Sequence, residues 1–197
     1  MKFEFYKKSK LTIGKLKLFT KKTMFKLPIN KRKKDVGKIK YLGWSKEIYS
    51  YDINKLISAT NFYFLVEGKK YFDKKRKKYL RPKYLQILQI PYIKDYPKRF
   101  KYLYNEHTVK IYSSDPSFKY YLAYALNKAN AVIVNNYTKK ELGIALTHFP
   151  KMRNPKLHQE MNKHFYRLIE FISIKKVESY MQDRFYLGIN KLPQIKG

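Results

Sequence analysis

Two runs of the sequence have a composition that implies chemistry on its own: Lys31-Arg32-Lys33-Lys34 and Lys74-Lys75-Arg76-Lys77-Lys78, the second followed by Arg81 and Lys83. Cations packed this densely repel one another and oppose compaction. A polyanion relieves that repulsion, and each phosphate neutralised releases condensed counterions, which drives binding without sequence preference. The expected chemistry is phosphate neutralisation by these eleven side chains. Base reading is not expected, because guanine recognition leans on the planar fork of Arg, and only seven of the 45 basic residues are Arg. Against them stand 14 acids, for a net charge of +31 on 197 residues. Residues 1–110 hold 31 basic and 8 acidic residues, and residues 111–197 hold 14 and 6. The preference for Lys, Tyr, Ile, Phe and Asn fits an AT-rich coding sequence, which explains part of the lysine excess but not the shortage of acids. The competing reading is a solvated basic face that only keeps the chain soluble.

Other chemistries find little support. With no Cys, disulfides, thiolate zinc sites and cysteine nucleophiles are excluded. The histidines are His107, His148, His158 and His164; the last two lie six apart, not at the i, i+4 spacing that turns two imidazoles toward one metal. No glycine-rich phosphate loop or nucleophile elbow is present, and the acids form no close pair. The sequence predicts no enzyme, no metal and no cofactor. Nor is a leader or membrane span expected, since lysines interrupt every apolar stretch. Rings are interleaved with cations at Phe72–Arg81 and at Tyr96–Tyr102, where they either stack on unpaired bases or pack inward beneath snorkelling lysines.

The elements that must position these residues read as an α+β fold: a small antiparallel sheet packed with about three C-terminal helices, preceded by an extended basic N-terminal arm. Residues 1–43 read as that arm. Residues 44–106 read as a helix over about 46–58, capped by Ser45, and then a hairpin of Asn61–Val66 with Lys69–Phe72 that carries the basic cluster. Strands are expected at 84–93 and 107–112, with Pro91 placing the first of them near a sheet edge. Residues 107–185 form the expected core and 186–197 a tail. Asp115-Pro116 starts a helix with Phe118, Leu122, Ala125, Leu126 and Ala129 on one face. Thr138 to Glu141 reads as a capping box. A third helix is expected from Asn154-Pro155, with Leu157, Met161, Phe165, Leu168, Ile169 and Ile172 inward.

The stretch Val109 to Tyr121, with Asn154-Pro155 and Asn162-Lys163-His164, resembles a family of uncharacterised tailed-bacteriophage proteins. Their motif, V-x-V-x-C-x-C-P-D-F followed by N-P and C-K-H, is similar to a SWIM-type zinc finger. The resemblance covers about residues 107–172. It places the motif cysteines at Ser113, Asp115 and Asn162 and keeps a ligand type only at His164, so it implies a metal-free, degenerate copy. It also implies a phage protein.

These readings combine into an expected role as a non-enzymatic virion protein. It would contact packaged DNA, or acidic neighbouring proteins of a large assembly, through residues 31–34 and 74–83, with no membrane. The alternative is a ribosomal or other ribonucleoprotein component that binds RNA through lysine-rich arms.

Overall fold

The computed structural model describes residues 6–24, 37–52, 55–91, 108–150, 154 and 156–172. Its centre is a four-stranded antiparallel sheet in the order β1-β2-β5-β6: β1 (Ile39–Asp52), β2 (Lys55–Glu67), β5 (Lys83–Pro91) and β6 (Lys110–Ser113). Between β2 and β5 the short strands β3 (Tyr71–Asp73) and β4 (Lys78–Leu80) pair only with each other. The helices are α1 (Ile13–Met24), α2 (Ala123–Lys128) entered through a π-helical turn at Phe118–Leu122, α3 (Asn136–Leu142) and α4 (Lys163–Ile172). The α+β class expected from the sequence is therefore the one observed.

Residues paired across strands share a face, and that rule sorts the sheet. One face carries Trp44 opposite Phe62, Phe62 opposite Leu88, and Leu88 opposite Ile111. All four are buried in one core cluster with Phe118, Leu126, Phe165 and Leu168. Each such ring or branched chain contributes about 1.5–3 kcal/mol on burial. The other face carries Glu47, Tyr49, Asn61 and Gln89, joined by hydrogen bonds.

Three expectations are corrected. The described part of residues 1–43 is not an extended arm, because residues 13–24 form α1, with Leu11, Ile13 and Leu16 in the core. Thr20 anchors it: its hydroxyl donates to the Leu16 carbonyl at 2.7 Å and accepts from the Met161 amide at 2.8 Å. The buried positions 13, 16 and 20 follow a helical repeat, and Lys15 between them is exposed.

The expected helix at 46–58 is strand instead. A β-strand needs a partner for each ladder group, and β2 supplies one along nearly the whole of β1, from Ile39–Val66 to Asp52–Lys55, with a bulge beside Gly43. Gly43 has φ +135°, a conformation only glycine takes without strain. Asn61–Val66 is strand as expected, but it pairs with β1 and β5 rather than with residues 69–72.

Helix starts also shift. α3 opens one turn earlier than expected: the Asn135 side chain accepts from the Thr138 amide at 3.0 Å while the Thr138 hydroxyl accepts from the Asn135 amide at 2.9 Å. Thr138 is thus the third helical residue of the box, not its cap. The third helix begins at Lys163 rather than at Asn154, and Leu157 is exposed with φ +49°. Met161, Phe165, Leu168, Ile169 and Ile172 are buried as expected. The strand expected near a sheet edge, β5, lies inside the sheet between β2 and β6; Pro91 is tolerated because it closes β5 beyond the last β6 pair.

Candidate nucleic-acid interface

The basic cluster sits on the β3–β4 hairpin. Tyr71 pairs with Leu80 and Asp73 with Lys78, so Lys74, Lys75, Arg76 and Lys77 form the loop. Asp73 shapes the turn, its carboxylate accepting from the amides of Lys75 at 2.9 Å and Arg76 at 3.1 Å. Lys77 takes the left-handed conformation at φ +49°. Glycine or Asn normally fills such a position, and a lysine there costs about 1–2 kcal/mol. The loop keeps its cation at the expense of its backbone.

Residues 69–83 hold Lys69, Lys70, Lys74, Lys75, Arg76, Lys77, Lys78, Arg81 and Lys83 against the single acid Asp73. All nine cations are exposed. Arg81 has a structural contact as well, donating to the Gly68 carbonyl at 3.0 Å where the hairpin leaves the sheet. Lys31, Arg32, Lys33 and Lys34 lie outside the described residues, as does the second aromatic–basic stretch at 96–102.

The rings of the hairpin do not pack inward. Phe72 is 49% exposed and Tyr79 is 64% exposed, and they meet edge-to-face with centroids 5.2 Å apart. Lys70 places its ammonium 4.7 Å from the Tyr79 ring centroid. Half-exposed rings beside cations form a platform on which an unpaired base can stack while its phosphate is neutralised.

A second constellation is buried at the other edge of the core face. The four positions singled out by the phage-family motif converge there, although residues 113 and 162 are 49 apart. The Ser113 hydroxyl accepts from the Asn162 amide group at 3.0 Å and from the Asp115 backbone N–H at 3.1 Å. His164 Nδ1 lies 2.5 Å from Asp115 Oδ2.

All four residues are buried. Asp115 caps the helix turn after it, accepting at 2.8 Å from the Ser117 amide, and Asn162 caps α4 by accepting at 2.7 Å from the Phe165 amide. Burial pushes the Asp115 carboxyl upward, but hydrogen bonds from His164 and Ser117 outweigh it and hold the group below its usual 3.8. Among the described residues no group of three or more His, Asp or Glu is placed to hold a metal. His148 and His158 are exposed, and His107 lies outside the described residues.

Sequence reasoning missed a buried amide beside this cluster. Gln86 pairs with Ser113 on the same sheet face, is fully buried, and neither of its amide atoms has a hydrogen-bond partner in the structure. A buried unpaired amide costs about 1–3 kcal/mol. Gln86→Leu is therefore expected to raise the free energy of unfolding, measured by denaturant titration, by about 1–3 kcal/mol, while a fall of similar size would mean that the amide is bonded in solution.

Among the described residues no helix is long and apolar enough to cross a membrane. Comparison of the chain with protein-family models, with curated proteins and with solved structures finds no match.

Proposed function

We propose that the protein is a non-enzymatic structural component of a bacteriophage particle, and that its β3–β4 hairpin neutralises the phosphates of packaged DNA. The observation that carries the phosphate reading is the hairpin itself. Nine exposed cations and one acid are concentrated on the hairpin and its junctions with the sheet, and its loop accepts a strained lysine. The phage reading draws its support from the four motif positions. In a degenerate copy of a metal centre, a hydrogen-bonded set of Ser113, Asp115, Asn162 and His164 takes over the stapling of strand end to helix start that a metal would perform.

A ribonucleoprotein role is the second reading, and the half-exposed rings of Phe72 and Tyr79 favour it. Such rings stack on unpaired bases, which RNA offers and packaged duplex does not. Density-gradient fractionation of the source separates the two. The phage reading expects the chain to co-migrate with DNA-filled particles. Co-sedimentation with ribosomal subunits would replace it with the second, and an association with particles that nuclease leaves untouched would point to acidic protein neighbours.

A further inference from the structure

The two ends of the basic hairpin leave the sheet side by side, Gly68 just after β2 and Pro82 just before β5, and the Gly68 amide donates to the Pro82 carbonyl at 2.8 Å. Arg81 closes the junction from the hairpin side through its bond to the Gly68 carbonyl. Glu67, one residue earlier, is tied to the chain entering β1: its carbonyl accepts from the Gly37 amide at 2.8 Å and its Oε2 from the Lys38 amide at 3.2 Å. The backbone of the junction is therefore well bonded, but none of these bonds reaches the helices behind the sheet.

His164 supplies that connection. A methyl group placed on Gly68 would lie 2.7 Å from Tyr84 Cε2, 2.9 Å from Pro82 Cγ and 3.3 Å from His164 Nε2, so the chain passes close over these rings and only glycine fits without a shift. The imidazole is 3% exposed and packs on the Tyr84 ring with centroids 4.7 Å apart. Its Nδ1 is bonded to Asp115, and its Nε2 edge, turned toward Gly68, has no hydrogen-bond partner.

A buried unpaired ring nitrogen costs stability, and a phenyl ring would fill the same space without that cost. What a phenyl ring lacks is the hydrogen bond to Asp115, which fixes the orientation of the imidazole against Tyr84 and Gly68. Tyr84 stands directly after Lys83 on β5, and Gly68 directly before Lys69, so both ends of the basic segment rest on one locked ring.

We propose that His164 is a positioning residue for the hairpin: locked by Asp115, its ring sets the angle at which the hairpin leaves the sheet. The consequence for binding rests on the phosphate reading above; the support of the junction by His164 does not. A fixed angle matters because cations spread over two strands and a loop meet one phosphate backbone together in a single pose, and holding that pose in the free protein lowers the cost of binding.

Distance measurement between two spin labels tests the angle. The chain has no Cys, so Arg76→Cys in the loop and Lys46→Cys on β1, both exposed positions, take the labels uniquely. The otherwise wild-type chain is expected to give one narrow distance distribution. Gly68→Ala intrudes on the rings but leaves the Asp115 bond in place, and His164→Asn keeps a donor for Asp115 while removing the ring. Each is expected to shift or broaden the distribution, with folding checked by the thermal midpoint. Without labels, both variants keep all nine cations, yet each should weaken duplex DNA binding by roughly tenfold or more for every charged contact that the altered angle removes. An unchanged distribution in Gly68→Ala would overturn the support of the junction by the rings. A changed distribution with unchanged DNA affinity would overturn the positioning role. Neutralising residues 74–78 separates this from the phosphate reading: if that variant binds duplex as the wild type does, the phosphate reading fails, and the distances still decide whether His164 holds the hairpin.

Discussion

Asp115→Ala is expected to destabilise the fold by about 2–5 kcal/mol, because the loss of a helix cap is joined by the cost of leaving buried hydrogen-bonding groups unpaired. The expected loss is larger than the 0.5–2 kcal/mol or so of an ordinary N-cap. Asp115 is only 6% exposed, and its carboxylate accepts from His164 Nδ1, from the Ser117 amide and from the Ser117 hydroxyl. Removing it leaves His164 buried with neither ring nitrogen bonded, since Nε2 already has no partner in the structure.

Asp115→Asn keeps an oxygen for the cap and should recover part of the loss. Acid supplies an independent check. The Asp115 carboxyl titrates below its unfolded value of 3.8, so its contribution is complete above that pH and disappears as pH falls through the lower folded value. The stability gap between wild type and Asp115→Ala, measured by denaturant unfolding, should therefore narrow as pH falls below about pH 4. A gap that does not narrow in acid, or one under about 1 kcal/mol at neutral pH, would mean that the pair does not staple β6 to α4.

What the sequence disclosed depended on how local each signal was. Asp115-Pro116 announces a helix start within two residues, and Asp115 does cap there. Likewise the apolar repeat from Met161 to Ile172 marked its buried face without reference to the rest of the chain. The α3 cap was misplaced because Asn135 competes with Thr138 for the same reciprocal geometry, and either choice satisfies the local pattern.

Non-local pairing defeated the reading of β1. Ser45 to Asp52 has acceptable helical spacing taken alone. It becomes strand because β2 offers a long antiparallel partner on which Trp44 faces Phe62 and Ser45 bonds Tyr63 at 2.8 Å. α1 was hidden differently, since its lysines mask a narrow apolar stripe that only the assembled core reveals. The candidate sites divide in the same way. The hairpin cluster is contiguous and was legible, whereas the unbonded amide of Gln86 lies beside Ser113 through a strand pairing that no sequence window contains.

Phosphate neutralisation by the hairpin predicts the other large effect. Replacing Lys74, Lys75, Arg76, Lys77 and Lys78 by Gln removes five exposed charges from a loop and strand end that bury nothing, so the fold should survive. Asp73 keeps its amide partners, because the turn is held by backbone donors. Each phosphate contact to duplex contributes about −0.9 to the slope of log affinity against log salt concentration. Five such contacts together amount to a slope of about −4.5. Losing them should weaken all sequences alike, since phosphate contacts carry no base information.

The decisive measurement is the salt dependence of duplex DNA binding by the wild type and by this five-fold variant, followed by fluorescence anisotropy over a range of salt concentrations. The account predicts a steep wild-type slope and a variant slope flatter by about four units, with affinity reduced equally on unrelated sequences. A variant that keeps both the affinity and the slope of the wild type would contradict it, and would reduce the hairpin to a solvated basic face.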